Sequence, residues 1–142
     1  MSALLQPTIL GKTLQLNNRI TMSALTRNRN VNALKPGPAS VEYYAQRATA
    51  GLIITEGVLP CHLETSWPYA PIMCAEEHAV AWKEVVDAVH AEGGKIFMQA
   101  WHVGKNSGMN VEGVRDAVGI FKRSAELAKR AGFDGVEVLA QG

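Results

Sequence analysis

Three segments of the chain carry a helical apolar stripe up to a glycine and then pass straight into a short β-prone run. That repeat restricts the fold more than any other feature of the sequence. In "VEYYAQRATAG" the stripe is Val41, Tyr44, Ala45 and Ala48, with Gly51 leading into "LIIT". In "EHAVAWKEVVDAVHAEGG" it is Ala79, Trp82, Val85, Val86 and Val89, with Gly93 before "KIFMQAW". In "VEGVRDAVGIFKRSAELAKRAG" it is Val111, Val114, Val118, Phe121, Ala125 and Ala128, with Gly132 before "GVEVL". Apolar residues three and four apart share one helix face, and glycine just past the last of them is a common helix stop. The stops at 51, 93 and 132 recur at intervals of 42 and 39 residues, the length of one strand, loop and helix. With "RITMSAL" as an earlier strand the order is βαβαβαβ, and right-handed crossovers make those strands parallel. Such a sheet is either the start of a doubly wound domain or half of a (β/α)8 barrel.

A chain of 142 residues, 47% hydrophobic and 19% charged, has the size and apolar content of a single domain with a core. Its 14 basic and 13 acidic residues are spread along the chain, so no basic stripe points to nucleic acid or an anionic membrane. Cys61 and Cys74 have neither C-x-x-C spacing nor a companion pair, which argues against a metal site or a disulfide framework. The start "MSALLQPTILGK" lacks a signal-peptide pattern, and no apolar run reaches membrane-spanning length. A cytoplasmic protein acting on a small molecule is expected.

No G-x-G-x-x-G follows the first strand and no G-x-x-x-x-G-K-[ST] occurs, so dinucleotide-fingerprint and P-loop readings lose their main support. In "KIFMQAWH" strand alternation puts Phe97, Gln99 and Trp101 on one face and Ile96, Met98, Ala100 and His102 on the other. An amide beside an indole at the end of a strand is either a hydrogen-bonded packing pair or a contact to a heteroaromatic ligand.

The segments "NNRITMSALTRNR", "EYYAQRATAGLIITEG", "AWKEVVDAVHAEGGKIFMQAWHVGK" and "AKRAGFDGVEV" occur in the order found in the old yellow enzyme family, and from about Pro7 to Val138 the chain resembles it. That family comprises FMN-dependent NAD(P)H oxidoreductases that reduce activated alkenes on a (β/α)8 barrel. The resemblance implies a fold of the α/β class: a (β/α)4-type half of such a barrel, residues 1–142 forming one truncated domain, with Leu10 to Leu16 in an N-terminal β-hairpin that closes the barrel bottom. It also implies a set of flavin contacts. Ala24 and Leu25 would touch the ring through their backbone, Thr26 would place its hydroxyl near the C4 carbonyl and N5, and Gly57 would meet the same edge. Gln99 would read the pyrimidine ring, and Trp101 would shape the substrate pocket.

Departures from the family pattern carry expectations of their own. Ala24 stands where "MAPLTR"-type motifs have proline. Leu139 takes the place of a substrate-binding histidine and Gly142 that of a second donor, with no tyrosine after them. Only "NSGMN" replaces the long capping excursion, and the strands that carry the FMN phosphate anchors are not present in the sequence. The chain therefore reads as the first half of an old yellow enzyme barrel with its lid and substrate-activating groups removed, binding FMN weakly unless an oligomer rebuilds a phosphate site.

The alternatives are a flavin-independent isomerase or cyclase reusing the pocket, and a non-catalytic subunit or remnant. In the isomerase reading His62 or Glu64, on the loop after the second strand, moves a proton beside Gln99 and Trp101. Open sheet edges predict a homodimer or larger oligomer, with two halves forming an eight-stranded core. Glu56 reads as structural, His78 and His90 as solvated, His102 as facing away from Gln99, and Arg27 and Arg29 as partners in loop salt bridges.

Overall fold

The computed structural model describes residues 2–30, 32–62, 67–102 and 111–139, with the backbone alone described for 111–114. After a short 3-10 turn at Ala3–Leu5, strands β1 (Thr8–Leu10) and β2 (Leu14–Leu16) form an antiparallel hairpin. Then follow β3 (Thr21–Met22), α1 (Pro38–Ala45), β4 (Leu52–Val58), α2 (Glu76–Ala91), β5 (Ile96–Trp101), α3 (Val111–Ala131) and β6 (Gly135–Leu139). The last four strands make one parallel sheet in the order β3-β4-β5-β6. This is the α/β half-barrel with an N-terminal hairpin that the sequence led us to expect.

The two faces of the sheet bury different material. Ile53, Val58, Ile96, Met98 and Ala100 point to the helices and join Tyr44, Trp82, Val85, Val86, Val89, Leu127, Ala128 and Phe133 in the main core. Trp82 links the layers, its ring centroid 6.1 Å from Tyr44 and 5.5 Å from Phe133. On the other face Leu52 and Ile54 pack with Leu16 of the hairpin, with Leu14, Ala24 and Phe97 at the margin. The hairpin thus plugs the end of the sheet where the strands begin. Among the described residues no helix is long and apolar enough to cross a membrane.

Three readings of the elements are corrected. The first strand is two residues long: among the described residues β3 pairs with β4 alone, through Thr21 and Met22, and residues 23–30 continue as an irregular loop. Helix α1 ends at Ala45, and the chain then turns through residues 46 to 50. In α3 the stripe holds at Ala128, which is buried, and at Phe121, which packs on the core, but Val118 is 69% exposed and Ala125 half-buried, and the buried face also takes Ser124, Leu127 and Ala131; the side chains of Val111 and Val114 lie outside the described residues. Leu127, Ala128 and Ala131 join the main core, with Phe121 packed against it.

The stop glycines do different jobs. Gly93 (φ +77°) and Gly132 (φ +91°) end α2 and α3 in conformations that favour glycine. Gly51 is needed for space, since a Cβ there would collide with the backbone carbonyl of Asn18. Asn18 also accepts the Gly51 N–H (2.8 Å) and donates to the Thr49 carbonyl (2.8 Å), tying the segment before β3 to the start of β4.

Candidate functional site

At the C-terminal half of β4 and β5 the inner face carries Gly57, Gln99 and Trp101. A register shift between Ile54 and Gly57 inserts one extra residue in β4, so that Gly57 pairs with Gln99. Bulges of this kind re-aim side chains at functional ends of sheets. Thr55 holds the bulge: its hydroxyl donates to the Glu56 carbonyl (2.8 Å) and accepts the Gln99 N–H (3.0 Å). Gly57 is packed against both: a Cβ placed there would lie 3.4 Å from Trp101 Cβ and Cε3 and 3.5 Å from Gln99 Oε1.

Gln99 is 8% exposed, and its Nε2 donates to Glu137 Oε1 at 2.6 Å. Pairing of β5 with β6 sets Gln99 beside Glu137 and Trp101 beside Leu139. The Trp101 indole leans on a small cluster of Leu59, Ala70 and Ile72 from the loop after β4.

Glu56, 2% exposed, points the other way and organises the loop that follows β3. Its Oε2 accepts the Arg27 N–H at 3.0 Å, and the Asn28 N–H and the Asn30 side chain bond to the same carboxylate. Burial pushes its pKa above the ordinary glutamate range, against the pull of those bonds and the Arg27 charge. Its backbone N–H donates to the buried Tyr44 hydroxyl (3.0 Å), whose own pKa is raised by burial and by the Glu56 charge. A second set of bonds closes the loop over residues 28–30: Asn28 Oδ1 accepts from Tyr69 N–H (2.8 Å), and Asn30 donates to the Tyr69 carbonyl from backbone and side chain, both at 3.1 Å. Glu56 is therefore structural, as read from the sequence.

Ala24, Leu25 and Thr26 sit on the stretch that enters this clasp. Ala24 packs beside the inner-face cluster and Thr26 is exposed. The Leu25 side chain lines a groove of about 470 Å³ between β3 and α1, with Met22, Tyr43 and Arg47. His62 is exposed on the loop after β4, close enough to His78 for its charge to oppose protonation of that ring. Glu64, Gly142 and the "NSGMN" crossing lie outside the described residues.

Other polar residues depart from expectation. His78 is 3% exposed rather than solvated; its Nδ1 accepts the Ala75 N–H (3.1 Å) at the start of α2, and burial lowers its pKa. His90 is half-buried, with Nε2 2.8 Å from Asp134. Arg27 is held by stacking, its guanidinium carbon 3.5 Å from the Tyr43 ring centroid, with Arg47 over the same ring at 3.9 Å. His102 lies near Phe121 of α3, on the helix side, as the alternation required. The sequence reading passed over Glu137. Its signal was present, since in "GVEVL" the glutamate shares a strand face with Gly135 and Leu139.

Residues 3–112 match the model of the NADH:flavin oxidoreductase / NADH oxidase family. Among curated relatives, 12-oxophytodienoate reductase 7 of Oryza sativa subsp. japonica is 47% identical over 66% of this chain and 24% of its own length. 12-Oxophytodienoate reductase 2 of Arabidopsis thaliana is 30% identical over 95% of this chain and 46% of its own length. Among solved structures, a variant of NCR from Zymomonas mobilis superposes with a TM-score of 0.89 at 38% identity, covering 97% of this chain and 44% of that one. Morphinone reductase in complex with tetrahydroNAD superposes with a TM-score of 0.88 at 31% identity, covering 97% of this chain and 49% of that one. The chain thus spans about half the length, or less, of the proteins it matches.

Proposed function

Since the chain belongs to the NADH:flavin oxidoreductase / NADH oxidase family, we propose that it forms the flavin-ring side of an FMN-linked NAD(P)H oxidoreductase of the ene-reductase type. The observation that carries this is the grouping of Gly57, Gln99 and Trp101 on the inner face where β4 and β5 end. These residues suit a flat heteroaromatic ring: a glycine puts no side chain in its way, a carboxamide offers a donor and an acceptor, and an indole closes the apolar side.

Bound FMN would supply hydride transfer from NAD(P)H to an activated alkene. Within this chain, Gln99 pairs with the pyrimidine edge and Gly57 admits it. Ala24 and Leu25 approach through their backbone. Thr26 presents its hydroxyl from a loop whose position Glu56 fixes. Trp101 shapes the space for a small-molecule substrate. Leu139, in register beside Trp101, brings no hydrogen-bond donor to that space. Where negative charge develops on a substrate carbonyl, one missing donor costs about two to three orders of magnitude in rate.

The test is reduction of cyclohexenone by NADPH with added FMN, in wild type and Leu139→His. Slow wild-type turnover that the substitution raises supports the reading; fast turnover that it leaves unchanged contradicts it. An isomerase or cyclase using His62 or Glu64 would work with no flavin present, which the same assay with a colourless preparation separates. We further propose a cytoplasmic protein, in keeping with two free cysteines, and a homo-oligomer, in keeping with β3 and β6 as the outer strands of the sheet among the described residues.

A further inference from the structure

We propose that Glu137 is a positioning residue for the Gln99 carboxamide, making the site select a ring edge in which an N–H donor stands beside a carbonyl acceptor. This deepens the flavin-ring reading and rests on it. A primary amide has two chemically different ends, and a free glutamine at a site can present either by turning over. Gln99 lacks that freedom. A carboxylate has only acceptors, so at 2.6 Å Glu137 tolerates the Nε2 end and repels the Oε1 end. The Oε1 end is consequently fixed toward Gly57, 3.5 Å from where a Gly57 Cβ would stand.

The second Nε2 hydrogen remains available alongside it. The site thus shows an acceptor and a donor in fixed order, the complement of an imide edge. The backbone is fixed as well: the Gln99 N–H is held by Thr55, and the β5–β6 register places Glu137 directly opposite. Glu137 is exposed and lies on the last described strand, so it acts through Gln99 and not by filling the core.

The experiment uses the 142-residue chain, wild type and Glu137→Gln, an isosteric change at an exposed position. The first readout needs no ligand. In wild type one Gln99 side-chain amide proton, assigned with Gln99→Ala, should resonate downfield of ordinary carboxamides, and Glu137→Gln should return it to their range. The second readout is titration with lumiflavin and 3-methyllumiflavin, the latter lacking the imide N–H. Wild type should prefer lumiflavin on the order of tenfold, the loss of about one hydrogen bond, and Glu137→Gln should shrink that preference to about twofold.

An unshifted amide proton, or one indifferent to Glu137→Gln, overturns the inference. So does a flavin preference that survives the substitution. If wild type binds neither flavin, the ring-binding reading fails for this chain, and the amide resonance alone decides whether Glu137 orients Gln99.

Discussion

Glu56 shows why single residues in this chain were unequally readable. Gln99 and Trp101 stood out because strand alternation alone puts them on one face at a strand end, and the structure keeps them there beside Gly57. The partners of Glu56 come from 26 to 29 positions earlier, and Glu56 itself lies in the bulge between Ile54 and Gly57, where strand alternation is broken. No periodicity announces that. Replacing this carboxylate by an amide turns one acceptor into a donor facing backbone N–H groups. Glu56→Gln should therefore lower the unfolding free energy by about 2–4 kcal/mol. Denaturant titration gives the loss, and hydrogen exchange should show the Arg27 and Asn28 amides exposed.

Asp134 is a second residue whose partners were hidden, and its pH signature has the opposite sign to that of Glu56. Burial raises its pKa, but the His90 ring, the Ile96 N–H (2.9 Å) and Lys95 (3.0 Å) together hold it below the ordinary aspartate value. A depressed carboxylate stabilises the fold above its unfolded pKa of about 3.9 and loses that contribution as pH falls through the lower folded value. For Glu56 the raised folded pKa means stability declines as pH rises from the ordinary glutamate value to the folded one. Asp134→Asn should thus cost about 1–2 kcal/mol at pH 7, allowing for partial solvent screening. That difference from wild type should shrink progressively below about pH 4, in urea midpoints measured at each pH.

Among the elements, helix faces decided by apolar burial were legible, and contacts decided by close backbone approach were not. All five stripe residues named for α2 are buried. In α3 Ala128 is buried and Phe121 packs on the core as the stripe required, while the buried Ser124 is polar and so absent from any apolar stripe. Among the described residues β3 pairs with β4 alone, which no local pattern records. Gly51 offers the cleanest test of close approach, because glycine is needed there for room beside Asn18 and not for a left-handed turn. Gly51→Ala should push β4 off the segment before β3 and cost about 1–3 kcal/mol, read by thermal and denaturant unfolding. Gly51→Ala with unaltered stability would show that the Asn18 carbonyl yields freely.

At the scale of the whole sheet, β3 and β6 are the outer strands among the described residues, and parallel sheets are ordinarily covered on both faces and both sides. Self-association should cover those edges, and light scattering at micromolar concentration should give a dimer or larger; a monomer's mass would contradict this.

The central claim is that this half of the barrel recognises the flavin ring and contributes little to holding the phosphate. It is met most directly by titrating the chain with riboflavin and with FMN under identical conditions, following flavin fluorescence. If recognition rests on Gln99, Gly57 and Trp101, the two should bind with affinities within about threefold, and Gln99→Ala should weaken both alike. FMN bound several hundredfold more tightly than riboflavin, with Gln99→Ala having little effect, would place the dominant contact on the phosphate and contradict the account.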